Sequence, residues 1–474
     1  MHRLARLDQR HLWHPFTQMR DWLRQEPIVI VRGQGAVLED ARGKRYLDAN
    51  SSIWTNLHGH QHPVLNRAVR TQLGKVAHTS ALGLANEPAS VLGEKLVQAA
   101  NPVALKNQGK LTKVFLSDDG STAMEVALKL AFEFARRTKQ IKRPRFLALH
   151  GAYHGDTVGA VSLGHIDLFH KAYAGLLFKT DAVMTPYCYR CPFNRARPER
   201  ADAREYRQCN WECVGKVEQA FAKREARGDG YAALVVEPLL QGAAGMIPQP
   251  VGWLKRVAEI ARGHGAQLIA DEVMTGFGRT GQGTPARLFA SHREGVQPDY
   301  LALAKGLTGG YLPLAATLVK QEIFDAFLGE YAEFKTFFHG HSFTGNQLGA
   351  AAANASLELL AGAESRTRRR ELERELAAAL AELWRLPNVG DIRQVGLVAG
   401  IELVRDWRTR AAYPLAERAG IRVCEAMARR GVLTRPIGNV IALLPPYCTA
   451  PKQLATMVRV LGEAIAEVLG GDAR

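Results

Sequence analysis

LIADEVMTGFGRTG, residues 268–281, runs an apolar segment straight into two adjacent carboxylates, Asp271 and Glu272, and then into a glycine-studded turn. Acids are seldom buried without a partner, so their presence at the tip of an apolar strand calls for a reason beyond packing. The same pattern of apolar run, polar end and turn recurs along the chain. VFLSDDG (114–120) feeds STAMEVALKLAFEFARRT (121–138), whose apolar residues fall at the three-to-four spacing of an amphipathic helix. RFLALH (145–150), AALVVEP (232–238), AQLIADE (266–272) and DYLALAKG (299–306) repeat it, most with helical segments between them. Strands alternating with helices predict an α/β architecture with a mostly parallel central sheet covered by helices.

Outside this middle region the pattern changes. IVIVRGQGAVLEDARGKRYLDA (28–49) reads as a small antiparallel meander. A helical stretch over about 346–386 leads into VGDIRQVGLVAGIELV (389–404), a helix, and VIALLPP (440–446). These segments predict an α+β small domain built from the chain termini. The expected divisions are 1–65 (N-terminal segment and meander), 66–345 (large domain) and 346–474 (linking helix and small domain).

Composition bounds the function. The chain has 474 residues, 47% of them hydrophobic, and a formal net charge of +16. No uninterrupted apolar run approaches the roughly 18 residues of a membrane span. The first 25 residues alternate charge with aromatics where a signal peptide would place an apolar core. The expectation is a cytoplasmic protein with no membrane partner. The densest basic cluster, SRTRRRELEREL (365–376), interleaves arginine with glutamate at helical spacing. It is expected to be a solvated helix face, with no nucleic acid as partner and at most a steering field for anionic ligands.

In an open α/β sheet, ligands collect at the carboxyl ends of the strands. Asp271, Glu237, Lys305 and the Gly120-Ser121 turn all stand at such ends. A lysine closing the apolar LALAK is costly to bury as a cation and must snorkel, pair or react. Taken alone, Asp271 would be an ordinary cap or strand-end acid. Together, these groups meet the needs of pyridoxal phosphate. Lys305 would form the Schiff base, Asp271 would hold the pyridine nitrogen protonated, Val273 would wall the ring, and the helix start at Gly120-Ser121 would take the phosphate.

DEVMTGFGRTG (271–281) followed by ALAKGLTGGYLPLAA (302–316) resembles the signature of the class III aminotransferases of fold type I, in both order and spacing. HGAYHGD (150–156) and VVEPLLQGAAGM (235–246) fall where that family has them. Within it, HLWHPFTQM (11–19), DANSSIWTNLHGHQHP (48–63), FFHGHSFTGNQLG (337–349) and LTRPIGNVIALLPPY (433–447) are similar to the 7,8-diaminononanoate synthases of biotin biosynthesis.

The resemblance implies a fold type I transferase that binds pyridoxal 5'-phosphate and aminates 8-amino-7-oxononanoate with ping-pong kinetics. It implies a homodimer with shared active sites, His341 and Ser342 of one subunit reaching the phosphate of the other. Tyr153 would stack on the cofactor ring and line the substrate site together with Phe16, Ile53, Trp54 and Gly340. Arg435 would grip the distal carboxylate of the keto acid with its planar fork. Glu237 would position its neighbours. The alternative is an ω-amino-acid or 4-aminobutyrate aminotransferase with the same cofactor set.

Phe16 and Ile53 depart from the members that use S-adenosylmethionine, which carry Tyr and Trp there. The donor is left between lysine and S-adenosylmethionine, with a lean to lysine. Lysine needs only a narrow apolar channel and a polar end, whereas an adenosyl group needs aromatic surface and a polar edge.

Four of the six cysteines lie in one stretch, CYRCPFNRARPERADAREYRQCNWEC (188–213), as Cys188-x2-Cys191 and Cys209-x3-Cys213. Such pairs can hold a tetrahedral zinc, and in a cytosolic protein a metal outranks two disulfides. Against this, the second pair is wider than a usual zinc ribbon and unligated surface thiols are common. No metal is assigned to the catalytic site.

Overall fold

The computed structural model describes residues 1–138, 141, 143–281 and 287–470. The expected segment 66–345 thus includes eight residues (139, 140, 142 and 282–286) outside the described ones, and the expected C-terminal domain has its last four, 471–474, outside them.

The expected sheet is present with seven strands, in the order Leu111–Ser117, Ala315–Lys320, Tyr300–Leu303, Gln267–Asp271, Tyr231–Val236, Arg145–Leu149, Asp181–Val183. The central strands Tyr231–Val236 and Gln267–Asp271 are buried along their whole length, which is why they read as continuous apolar runs. Alternate side chains serve opposite faces. Ala233, Val235 and Ile269 pack under the helix Gly120–Thr138. Leu234, Val236 and Leu268 pack under the helices Glu212–Glu225 and Trp253–Gly263. Ile269 pairs in parallel with both Val235 and Tyr300, so this register sets the strand ends side by side.

One strand was not legible beforehand. Ala315–Lys320 lies antiparallel between Tyr300–Leu303 and Leu111–Ser117. The connection from the preceding strand, residues 304–314, holds no helix beyond the 3-10 turn Lys305–Thr308 and is shorter than the helical crossover that parallel pairing usually takes, in keeping with a return in the opposite direction.

The meander forms as expected from Ile30–Gln34, Val37–Asp40 and Arg45–Asp48. Val432–Leu433 adds to it in parallel, bringing the two ends of the chain together. The strands Val389–Val395, Val398–Asp406, Val440–Leu443 and Pro436–Ile437 make a second, antiparallel sheet.

The helical stretch after 346 is two helices, Gln347–Ala361 and Ala363–Ala381, broken at Gly362, whose ψ of 140° leaves the helical region. The basic cluster corrects the expected solvated face in part. Arg368 pairs with Glu371 and Glu375 at the surface. Arg369, however, is buried on the same stripe as Leu372, Leu376 and Leu380, donates to the Leu360 carbonyl at 2.9 Å, and lies over the Tyr447 ring. Among the described residues no helix is long and apolar enough to cross a membrane.

Candidate active site

The strand ends open on a cavity of about 420 Å³, lined among others by Trp54, Gly120, Ser121, Tyr153, Glu237, Asp271, Val273, Thr275 and Lys305. Asp271 ends its strand with one carboxylate oxygen accepting from the Val273 amide at 3.0 Å and the other bonded to His154 Nδ1 at 2.7 Å. Both side chains are buried. Burial works against charge on His154, but the hydrogen bond to Asp271 and the charges of Asp271 and Glu237 outweigh it and raise its pKa. His154 thereby braces the Asp271 side chain in place.

The neighbouring Glu272 turns the other way, as strand alternation requires. It accepts from the Ala290 amide at 2.5 Å, the Ser291 amide at 2.8 Å and the Ser291 hydroxyl at 2.7 Å. Burial pushes its pKa up to about 7. The two adjacent acids therefore divide their work: Asp271 faces the cavity and Glu272 pins the loop behind it.

Glu237 is buried as well, accepting from the Gly242 amide at 2.7 Å and the Tyr153 amide at 3.3 Å. Burial pushes its pKa to about 7. It ties the Tyr153 segment to the loop after its own strand.

Lys305 follows the strand Tyr300–Leu303 and has a left-handed φ of 45°, a strained backbone for a side-chain-bearing residue. Its amine lies 4.7 Å from the centre of the Trp54 ring. Desolvation lowers its pKa although Asp271 and Glu237 pull it upward, which makes the neutral, nucleophilic amine more accessible.

Trp54 arrives by an unusual route. Ser51, Ser52, Ile53 and Trp54 all have positive φ, from 47° to 68°, making one turn of left-handed helix. Such backbone costs roughly 1–2 kcal/mol per residue. It is held by local bonds: the Ser52 amide and hydroxyl donate to Asp48 at 3.0 and 2.8 Å, and the Ser51 hydroxyl donates to the Leu444 carbonyl at 2.5 Å.

Gly120 and Ser121 open the 19-residue helix Gly120–Thr138, whose free amides and dipole favour an anion. A Cβ at Gly120 would stand 2.7 Å from Val273 Cγ1, and one at Gly155 would stand 2.2 Å from Ser121 Oγ, so both positions need glycine for this close approach. The Ser121 hydroxyl accepts from the Asp156 amide at 3.2 Å. Tyr153 donates to Asp156 at 2.5 Å, and burial together with that bond raises its pKa.

These residues fit pyridoxal phosphate on the structure's own terms. A buried, braced carboxylate, an amine of lowered pKa and a helix N-terminus share one cavity. Trp54 Nε1 and Thr275 Oγ1 on its wall are buried and have no hydrogen-bond partner among the described residues.

The other expected residues stand around this centre. Phe16 (φ 50°) is at the mouth, with ring contacts to Tyr153 at 6.5 Å and Phe169 at 5.2 Å. Ile53 is exposed, next to Trp54. Arg435 is exposed between Val432–Leu433 and Pro436–Ile437 and does not line the cavity. Gly340 and Ser342 are also exposed. His341 lies 3.7 Å from Asp118, itself a cavity residue, and the Ser342 carbonyl accepts from His78 at 2.8 Å.

Sequence reading missed His154, Asp156 and Phe169. The first two lie within the quoted HGAYHGD, but nothing in the spacing says that residue 154 reaches across to Asp271. Phe169 carries no signal beyond being apolar.

The aminotransferase class-III family model matches residues 19–465. The adenosylmethionine-8-amino-7-oxononanoate aminotransferase of Geobacter sulfurreducens is 47% identical over 464 residues, 98% of this chain and 97% of that protein. The enzyme of that name from Nitratidesulfovibrio vulgaris is 49% identical over 469 residues, 98% of this chain and 82% of that protein. The crystal structure of its Methanocaldococcus jannaschii namesake superposes with a TM-score of 0.88 at 38% identity, covering 98% of this chain and 99% of that one. An omega transaminase from Pseudomonas jessenii in complex with PMP also reaches 0.88, at 26% identity, over 99% of this chain and 98% of that one.

Proposed function

The chain belongs to the class-III aminotransferases, and on that premise we propose that it aminates 8-amino-7-oxononanoate to 7,8-diaminononanoate, the biotin-pathway step, with S-adenosylmethionine as donor. Its cofactor is pyridoxal 5'-phosphate. The observation that carries the reading is the meeting of Lys305, Asp271 and the Gly120-Ser121 helix start in one cavity, in a chain 47% identical along nearly its whole length to an enzyme of that name.

Bound pyridoxal phosphate supplies a reactive carbonyl and an electron-withdrawing ring that makes the carbon bearing the transferred amine acidic. Gly120 and Ser121 would hold its phosphate. Asp271, braced by His154, would pair with its ring nitrogen. Val273 and Tyr153 would bound the ring. The Lys305 amine would be the group that holds the cofactor and would serve as the acid and base for the substrate's proton. Trp54, Phe16, Ile53 and Gly340 would shape the substrate entrance, and Arg435, with its planar fork, would take the far carboxylate of the keto acid.

The donor reading rests on two supports. Relatives bear adenosylmethionine in their names, and the mouth adds the Phe169 ring to Phe16 and Tyr153, giving aromatic surface for a sulfonium cation. Lysine is the second reading, favoured by the missing hydroxyl at Phe16 and the missing ring at Ile53.

We further place the enzyme in the cytoplasm as a homodimer with shared sites. In support, the 340–342 segment stands outside its own cavity beside exposed Phe338 and Phe343, an apolar surface suited to a second copy.

The test is direct. Holoenzyme is given 8-amino-7-oxononanoate with each donor separately, and 7,8-diaminononanoate is measured by mass spectrometry. Product with S-adenosylmethionine supports the reading, and product with lysine alone replaces the donor. Transfer of the amine of 4-aminobutyrate or another ω-amino acid to a keto-acid acceptor, with no diaminononanoate formed, overturns it in favour of the ω-aminotransferase alternative.

A further inference from the structure

The 188–213 stretch has no part in the reaction, yet its four cysteines converge. Cys188, Cys191, Cys209 and Cys213 are all free and all line one small cavity of about 10 Å³, room for about one water-sized sphere. Cys188 begins the 3-10 turn Cys188–Arg190, which Cys191 ends, and Cys213 sits in the first turn of the helix Glu212–Glu225. Tight turns of this kind place paired sulfurs on one side of the chain.

Polar bonds such as Arg190 to Glu402 and Asn194 to the Cys188 carbonyl tie the stretch down, but it buries little apolar surface of its own. Its local apolar cluster is Cys188, Tyr189 and Ala203, with Tyr187 and Tyr206 packed against it, too small a core to order a loop of this length by burial alone. Charge is also arranged for an anionic centre. Arg207 donates to Cys209 Sγ at 3.0 Å and lies 4.1 Å from the Trp211 ring centre, a ring that also takes Arg256 at 4.5 Å.

We propose that Cys188, Cys191, Cys209 and Cys213 bind one structural zinc(II) ion as a tetrathiolate. Binding forms four Zn–S bonds and releases four thiol protons, with no change of oxidation state. Of the resulting net charge of −2, Arg207 offsets one unit, although the Glu212 carboxylate also lines the cavity. Among the described residues no three ligand side chains already stand in a metal-binding arrangement, so the sulfurs close around the cavity as the ion enters.

The ion would stiffen a strap between distant parts of the chain. Tyr187 and Arg190 beside it bond to Glu402 in the C-terminal sheet. Arg204 donates to the Gln394 carbonyl at 2.8 Å. Buried Arg393 joins Tyr187, Asp391 and Glu402, and also donates to the Gly245 carbonyl at 3.0 Å. Gly245 belongs to the loop whose Ala243 lines the active cavity.

Metal analysis of full-length enzyme prepared without chelator should find one zinc per chain, released by a mercurial that blocks thiols. Cobalt(II) exchange should give the thiolate charge-transfer and tetrahedral d–d bands of a four-sulfur site. Cys191→Ser and Cys209→Ser should each lose the ion, while Cys448→Ser, at an exposed cysteine elsewhere, should keep it. Absence of zinc from wild-type enzyme supplied with zinc, with the four thiols reacting freely or found as disulfides, overturns the proposal. Should the serine variants not fold, the wild-type zinc content and cobalt spectrum still decide.

Discussion

At the floor of the cavity, Asp271 and Glu237 stand on the ends of neighbouring strands whose register is locked by burial on both faces, with Lys305 following the next strand over. At its rim, Phe16, Ile53 and Trp54 hang from N-terminal segments and hold left-handed backbone. On the floor the sheet itself places Asp271 and Glu237 at strand ends, and of these three groups Lys305 alone holds left-handed backbone. The rim keeps its positions only through side-chain bonds such as those from Ser52 to Asp48. Chemistry common to a whole family belongs on the floor. Discrimination between substrates belongs on the rim, where a residue can change without disturbing the sheet.

If this division is right, substitutions should separate by what they damage. Lys305→Ala should have the largest effect, lowering turnover by roughly 10³-fold or more while the protein folds and retains cofactor without a covalent link. Turnover and cofactor absorbance after gel filtration check this, and substantial residual activity would move the chemistry to another lysine. Asp271→Asn comes next, with about 10²-fold or more lost in both half-reactions, because a neutral amide does not stabilise the protonated ring nitrogen.

Arg435→Ala tests the rim. It should lower kcat/KM for the keto acid by about 10- to 100-fold, the worth of a charged hydrogen bond, and spare the donor half-reaction. Equal losses in both halves would erase the distinction between floor and rim at that position.

His154→Gln sharpens the account of the floor with an effect of about tenfold on turnover, from a less well-held Asp271. It also carries a pH signature. Because the folded pKa of His154 is raised, its contribution to stability is complete below the unfolded value of about 6.5 and is lost as pH rises through the folded value. The unfolding midpoint of the cofactor-free protein should therefore fall less on the alkaline side in His154→Gln than in wild type.

Phe16→Tyr should have the smallest effect, a few-fold shift in donor preference towards S-adenosylmethionine worth less than about 1 kcal/mol, with the keto-acid half-reaction unchanged. Stopped-flow comparison of the two donors measures it. No shift would remove position 16 from donor choice.

Much of this molecule was determined by sequence alone, for local reasons. Strands buried on both faces must be continuous apolar runs, so the parallel sheet and the polar residues at its ends, Gly120, Glu237, Asp271 and Lys305, were legible from period and punctuation. Tertiary structure decided the rest, because it depends on which distant atoms meet. Asp271 and Glu272 look equivalent in sequence. Only the packed fold shows one braced by His154 towards the cavity and the other spent on Ala290 and Ser291. Arg369 looked like one more surface charge until burial against Tyr447 set it apart from Arg368. The left-handed turn at 51–54 contains no glycine to announce it, since its conformation is imposed by Asp48 and Leu444, contacts no local propensity encodes.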